Sequence, residues 1–445
     1  MTVYEKMDRL HREVLDHMEE RIRERAEKGL LPAFGNTSDL DLVCKAGAED
    51  LSKLLCEALP EGLDYKELRP KAEVNSLEDL AVALVYYSSR GLGGELMLEN
   101  PSILPGRFPT HEAIGGSAAQ AVLACAAVGC PALVHLSDGS PAVRKLMARD
   151  EVKLVALDGT LTTPADYYEM QDAETHWILQ YQRGATVHGR DFSYEIPLSN
   201  RLIVAENTIN RLVLLRQEYL RYIEEHAKQV TSQLISGYNA IRDTENLRDR
   251  VATIAENMRR YHEANPSGIR YLEGGHIVGE ELDQIAMDGL FPVADMMAMN
   301  EEEADVIFDR DGIAHDLSDI DSMIEGLRTF RKNNGIRLGM LIHSKDYALY
   351  VGDELPGDIR EGMVYGHTMA AARATYGTPA DISQVREMLE LPLSPVGVAF
   401  AEKIEADPEK YKDVILVPSR LIERPKYTVG LGDTFLGGIQ MCFGL

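Results

Sequence analysis

Ala132-Leu133-Val134-His135-Leu136 and Val152-Lys153-Leu154-Val155-Ala156-Leu157 are strand-like apolar runs, and the residues between them carry a helical pattern. The same rhythm returns at Leu202-Ile203-Val204-Ala205, at Leu234-Ile235-Ser236-Gly237 and at Leu338-Gly339-Met340-Leu341-Ile342-His343. Strands alternating with helices predict an α/β fold whose largely parallel sheet is covered by helices, with ligands beyond the carboxyl ends of the strands. Residues 46–111 and 175–200 break the rhythm, mixing short strand and helix signals with glycine and tyrosine. A smaller α+β lid inserted into a larger domain explains both interruptions. The expected division is therefore 1–45, 112–174 and 201–445 for the large domain, and 46–111 with 175–200 for the lid. Residues 4–29 place Leu10, Val14, Leu15 and Met18 among alternating charges, which predicts a surface-lying amphipathic helix. No internal repeat or low-complexity tract is present.

A chain of 445 residues exceeds the usual size of a single core, as two domains or a domain with a lid require. Its formal net charge of −26 argues against a nucleic-acid partner, because a phosphate backbone is held by clustered Lys and Arg. A small anionic substrate must then be drawn in by a local basic pocket. No apolar run approaches the roughly 20 residues that span a bilayer, and the Met1-Thr2-Val3-Tyr4-Glu5-Lys6 start has no apolar leader, so the expected location is the cytoplasm, away from membranes. Five cysteines, Cys44, Cys56, Cys125, Cys130 and Cys442, lack zinc spacing and mostly sit among aliphatic residues as small buried hydrophobes do; a reactive thiol is the alternative.

Chemistry concentrates in Thr428-Val429-Gly430-Leu431-Gly432-Asp433-Thr434-Phe435. Glycines allow a tight turn and close approach, and a helix beginning here points the free amides of Leu431, Gly432 and Asp433 at an anion. Asp433 at that mouth is placed to take a proton from a substrate hydroxyl; a chance glycine turn is the bland reading. In Ala298-Met299-Asn300-Glu301-Glu302-Glu303-Ala304, Asn300 and Glu303 fall on one face of a helix. The pair reads either as a capping box or as a device that orders the water shell of a magnesium ion, and both can hold at once. Glu273, at the end of Ile269-Arg270-Tyr271-Leu272-Glu273-Gly274-Gly275, is a second metal-shell carboxylate or a solvated strand end. The turn Phe34-Gly35-Asn36-Thr37-Ser38-Asp39-Leu40-Asp41 carries amides and carboxylates that suit sugar hydroxyls, or merely precedes a strand. Gly115 and Gly116 open a helix of small residues and permit either ligand contact or close helix packing. Arg183, Arg190 and Arg201 supply basic groups near the second interruption; each is a phosphate ligand or a solvated side chain.

Taken in this order, these segments resemble the ADP-dependent sugar kinases, the glucokinase and phosphofructokinase branch of the ribokinase-like superfamily. The resemblance spans most of the chain and rests on Thr428 to Thr434 preceded by Val417-Pro418 and Pro425, on Asn300-Glu301-Glu302-Glu303, on Asn200-Arg201-Leu202-Ile203 and on Ile235-Ser236-Gly237-Tyr238. Thr175-His176-Trp177-Ile178-Leu179-Gln180-Tyr181 and Gly115-Gly116-Ser117-Ala118 are similar to further family segments. The resemblance implies a ribokinase-like three-layer domain with a mixed lid, and a magnesium-dependent transfer of the β-phosphoryl of ADP to a sugar or sugar phosphate, giving AMP. It implies that Asp433 is the base and that the backbone from Gly430 to Gly432 is the anion hole, with Val429 and Asn300 beside the nucleotide. Asn300, Glu303, Glu273 and Asp433 would organise magnesium, and Arg201 would bridge nucleotide phosphate and reacting centre. Asn36, Asp39, Asp41, Glu95, Gly115, Gly116, Arg183 and Arg190 would face the sugar.

The chain departs from the family at Tyr271, where a histidine is usual, and at Thr37 and Asp39, where asparagines are usual. In Gly91-Leu92-Gly93-Gly94-Glu95 the small residue Gly94 is similar to the phosphofructokinase pattern, so fructose 6-phosphate is the expected acceptor, with glucose next. The alternatives are an ATP-dependent ribokinase-like sugar or nucleoside kinase, and a non-catalytic nucleotide or sugar sensor. A monomer or small homo-oligomer is expected.

Overall fold

The computed structural model describes residues 1–35, 38–168, 174–206, 209–210, 212, 215–238, 241–274, 280–422 and 425–444. A ten-stranded sheet runs in the order Val414–Pro418, Tyr347–Gly352, Gly339–His343, Met296–Asn300, Ile269–Glu273, Val230–Ile235, Leu31–Gly35, Ala132–Val134, Val152–Val155, Leu161–Thr162. From Gly339–His343 through Val152–Val155 every pairing is parallel; the outer pairings are antiparallel. Two hydrophobic cores lie on its faces, as parallel strands buried on both sides demand. One holds the helices Val3–Glu27, Ser117–Ala127, Ile359–Tyr376 and Leu431–Gln440; the other holds Gln217–Glu225, Thr244–Ala264 and Ile320–Asn334. The expected three-layer α/β domain is therefore present.

The N-terminal helix, read as lying on the surface, buries Leu15, Met18, Ile22 and Arg25 in the first core. Arg25 is fully buried and donates to the carbonyl oxygens of Met441 and Phe443 and to Thr231. All five cysteines are free, and Cys44, Cys125, Cys130 and Cys442 are buried as the sequence suggested. Among the described residues no helix is long and apolar enough to cross a membrane.

The lid is a six-stranded sheet ordered Glu73–Val74, Gly94–Leu98, Asn200–Ala205, Thr175–Tyr181, Asp39–Lys45, Thr110–Gly115, with the helices Ala48–Ala58 and Leu77–Arg90 packed on one face. It is larger than the sequence boundaries allowed. Asp39–Lys45, Thr110–Gly115 and Asn200–Ala205 were expected in or at the edge of the large domain, but their hydrogen bonds place them in the lid sheet. Apolar rhythm marks a strand without marking its sheet, and the run Leu202 to Ala205 reads the same in either. Alternation along these strands sets one face against the helices, through Cys44, Trp177, Leu179, Tyr181, Leu202 and Val204. The opposite face carries Asp39, Asp41, His176, Glu95 and Arg201.

Candidate active site

Glu273, Asn300 and His343 end adjacent parallel strands, so all three project at the carboxyl edge of the large sheet. The helix Leu431–Gln440 begins at that edge. Gly430 is its N-cap with φ +72°, a left-handed conformation that a side chain would strain, and a Cβ there would lie 2.5 Å from the Arg373 guanidinium. Thr434 makes the first return bond of the helix, from its amide to the Gly430 carbonyl at 3.1 Å, leaving the amides of Leu431, Gly432 and Asp433 for a ligand. Thr434 Oγ1 also donates to that carbonyl at 2.7 Å. Val429 precedes this turn, and its carbonyl accepts from Arg373 Nε at 3.1 Å.

Asn300 and Glu303 form a reciprocal capping box: Glu303 N–H donates to Asn300 Oδ1 at 2.9 Å, and Asn300 N–H to Glu303 Oε2 at 3.0 Å. The bland reading of this pair is therefore correct, and it fixes both side chains at the site. Burial raises the Glu303 carboxyl to about 7, with Asp433 and Glu302 adding to the Asn300-opposed shift. Burial, then Asp433 and Glu303, hold Glu273 well above the ordinary carboxylate range, while Ser117 and Ser236 hydrogen bonds pull it down. Burial also raises Asp433, against the Ser117 hydroxyl and Arg373, and Asp39 pushes it further up.

Across the cleft, the lid brings Asp39, Asp41 and His176 together, their ligand atoms all within 4.8 Å; among the described residues no other such group gathers that closely, Glu273, Glu303 and Asp433 included. His176 Nδ1 stands 3.2 Å from Asp39 Oδ2. Burial lowers the imidazole, but Asp39, Asp41 and Glu95 outweigh it and bring its pKa to about 9. Burial and the Asp39 carboxylate raise Asp41 well above normal, against His176. Asn210 Nδ2 holds Asp39 Oδ1 at 3.3 Å and is itself held by Ser137 at 2.8 Å. Gly115 lies directly under this pair: a Cβ there would collide with Asp39 and sit 2.7 Å from Asp41. Gly116 caps the helix Ser117–Ala127 that carries Ser117.

Several expectations need correction or relocation. Gly94, expected to tune acceptor choice, faces the helix side, where a Cβ would collide with the Tyr87 ring; Glu95, the next residue, takes the open face. Arg190 lies beyond the hairpin strand Thr186–His188, packed on the helix Ala48–Ala58, and donates to the Cys56 carbonyl at 2.8 Å, so it is turned from the acceptor face. Arg183 is exposed in the turn after Thr175–Tyr181, roughly 20 Å along the chain from His176 at strand spacing. Arg201 stays on the open face, opposite Gln180 and in line with Lys45. Asn36 and Thr37 lie outside the described residues. Tyr271, in the place of the family histidine, is fully buried in the core, and its hydroxyl has no hydrogen-bond partner among the described residues.

The sequence reading assigned no role to His176, Ser117, His343 or Arg373. Alternation in Thr175-His176-Trp177-Ile178-Leu179-Gln180-Tyr181 was signal enough to set His176 opposite the apolar Trp177 and Leu179. His343, a polar residue ending an apolar strand, places Cε1 3.3 Å from where a Cβ of Gly432 would stand. Arg373 had no signal, because the helix Ile359–Tyr376 is buried on nearly all sides.

An α/β domain with an amide-lined helix mouth, a flanking carboxylate and a polar lid is the arrangement of a phosphotransferase. Residues 32–438 match the ADP-specific phosphofructokinase/glucokinase conserved region, and the chain belongs to that family of sugar kinases. It is 24% identical to the ADP-dependent glucose/glucosamine kinase of Pyrococcus furiosus, over 92% of each chain. It is also 24% identical to the ADP-specific phosphofructokinase of Thermococcus kodakarensis, over 94% of this chain and 96% of that one. Among solved structures, the last common ancestor of ADP-dependent phosphofructokinases from Methanosarcinales superposes with a TM-score of 0.78 at 19% identity, covering 100% of this chain and 99% of that one. An ADP-dependent kinase complex with fructose 6-phosphate and ADPβS superposes with a TM-score of 0.74 at 18% identity, covering 98% and 97%.

Proposed function

We propose that the protein transfers the β-phosphoryl group of ADP to a hydroxyl of an unphosphorylated hexose, glucose being the type, and releases AMP. The observation that carries the acceptor is the open face of the lid, where Asp39, Asp41 and Glu95 surround one histidine. Carboxylates accept from sugar hydroxyls and repel a second phosphate. That chemistry favours glucose over fructose 6-phosphate, because Glu95 and not Gly94 faces the acceptor. The relative that acts on glucose and glucosamine supports the same choice.

Asp433 receives the proton of the attacking hydroxyl, and burial, by raising its pKa, increases its basicity for that task. The amides of Leu431, Gly432 and Asp433 hold the transferred phosphoryl oxygens, so the charge that spreads in the transition state meets fixed dipoles. Asn300, His343 and Val429 line the nucleotide side, and Arg201 reaches the phosphates from the lid. Magnesium suits the corner formed by Glu273 and Glu303: Glu273 Oε2 is buried without a hydrogen-bond partner among the described residues, and a cation there would offset the repulsion that raises the pKa values of Glu273, Glu303 and Asp433. When bound there, magnesium supplies charge neutralisation to the phosphates. Glu273, Glu303 and Asn300 are the residues that would hold it through water.

The deciding experiment measures AMP formed from ADP, and separately ADP formed from ATP, with glucose, glucosamine and fructose 6-phosphate. Glucose should give the highest kcat/KM with ADP. Preference for fructose 6-phosphate would reverse the acceptor assignment, and activity with ATP alone would reverse the donor.

A further inference from the structure

The loop that forms the anion hole is fastened to one turn of one helix. At the end of Ile359–Tyr376, the Ala374 carbonyl accepts from the amides of Lys426 and Tyr427 at 3.1 and 3.2 Å. One residue earlier, Arg373 donates from Nε to the Val429 carbonyl at 3.1 Å and from a terminal nitrogen to Thr434 Oγ1 at 3.3 Å. These two acceptors lie on either side of Gly430-Leu431-Gly432-Asp433, so a single rigid guanidinium spans the whole motif from beneath. The space under Gly430 is filled by the same group, 2.5 Å from where a Cβ would stand. Arg373 is only 6% exposed, and burial lowers its pKa while Asp433 opposes the shift.

We propose that Arg373 is a positioning residue for phosphoryl transfer, fixing the height and tilt of the anion loop by bridging the Val429 carbonyl and the Thr434 hydroxyl. A buried arginine is costly to desolvate, and two neutral acceptors repay little of that cost. Its planar fork is what a compact ammonium cannot copy: it holds two acceptors at a fixed separation and wedges the turn at once. With the wedge removed, the amides of Leu431, Gly432 and Asp433 keep their chemistry but lose their common aim. Misplacement of this order costs about 10²-fold in rate. The sugar site, formed by the lid, is untouched.

The inference rests on the proposed ADP-dependent transfer, and wild-type turnover in the same assay separates the two: silence of the wild type defeats that reading, not this one. In Arg373→Met, kcat per folded molecule should fall about 10²-fold, with the KM for sugar unchanged within about twofold. Arg373→Lys should recover only part of the loss. Calorimetric binding of AMP alone should be retained by both variants, whereas AMP with aluminium fluoride and sugar, which imitates the phosphoryl in flight, should bind more weakly by the same factor as kcat. If Arg373→Met fails to fold, Thr434→Val removes one of the two anchors at nearly constant volume and should show the same split to a smaller degree. Wild-type kcat in the folded arginine variant, or equal losses in AMP binding with and without aluminium fluoride, overturns the proposal.

Discussion

Asp433 has the carboxylate, the burial and the helix-mouth amides that a positioned base needs, and replacing one oxygen tests it with little change of shape. Asp433→Asn should fold and bind nucleotide normally while turnover falls by roughly 10²–10⁴-fold; undiminished turnover would remove Asp433 from the mechanism. Tyr271 offers a test of stability alone. Its buried hydroxyl has no partner among the described residues, so Tyr271→Phe should raise stability by about 1–2 kcal/mol, read as a higher midpoint in urea. A lower midpoint would mean that the hydroxyl is satisfied. His176 sets a pH dependence. Its folded pKa of about 9 lies above the ordinary 6.5, so its contribution to stability is complete below pH 6.5 and is lost as pH rises through 9. The melting temperature of the ligand-free protein should fall across that interval more steeply than that of His176→Gln; parallel curves would contradict the assigned pair with Asp39.

At the scale of elements, the strand ends depend on a buried ion cluster. Asp295 is fully buried, takes two bonds from the Arg270 guanidinium at 2.9 and 2.6 Å and one from Arg337 at 2.5 Å, and so ties Ile269–Glu273 to the start of Met296–Asn300. Burial raises its carboxyl, but the two arginines outweigh that and hold it below the normal range. Asp295→Ala leaves Arg270 buried and unpaired and should cost about 3–5 kcal/mol in denaturant unfolding; a loss below 1 kcal/mol would show water replacing the carboxylate. Elements were also the scale at which the sequence was most legible. Strand runs, the helix mouth at Gly430 and the capping box at Asn300 each follow from local chemistry, and each forms where expected. What local chemistry lacks is partner choice: Leu202 to Ala205 could not declare its sheet, and Arg373 touches the motif only after more than fifty residues of intervening chain have folded back. Glu95 was expected to face the sugar and lies on the open face, whereas Gly94, from which acceptor choice was read, is one step of the two-residue period away and so faces the helices.

For the whole molecule, two bodies with their polar faces opposed imply that the cleft narrows when both substrates are present, keeping water from the phosphoryl donor. Arg201 lies about 13 Å along the lid strands from the His176 row, and its proposed contact with the phosphates is expected to form in such a movement. Small-angle scattering should record a smaller radius of gyration with sugar and nucleotide together than with neither, and an unchanged radius would leave Arg201 without a role. The lid sheet also constrains the path of that movement. The chain passes between the two sheets after Leu31–Gly35, after Thr110–Gly115, before Thr175–Tyr181 and after Asn200–Ala205. A single connecting strand would leave the lid free to swivel, and every lost rotation would be charged to substrate binding as entropy. Four crossings between the two sheets, instead of one, limit how far the lid can twist or slip sideways, and so leave less of that freedom to be lost when the substrates bind.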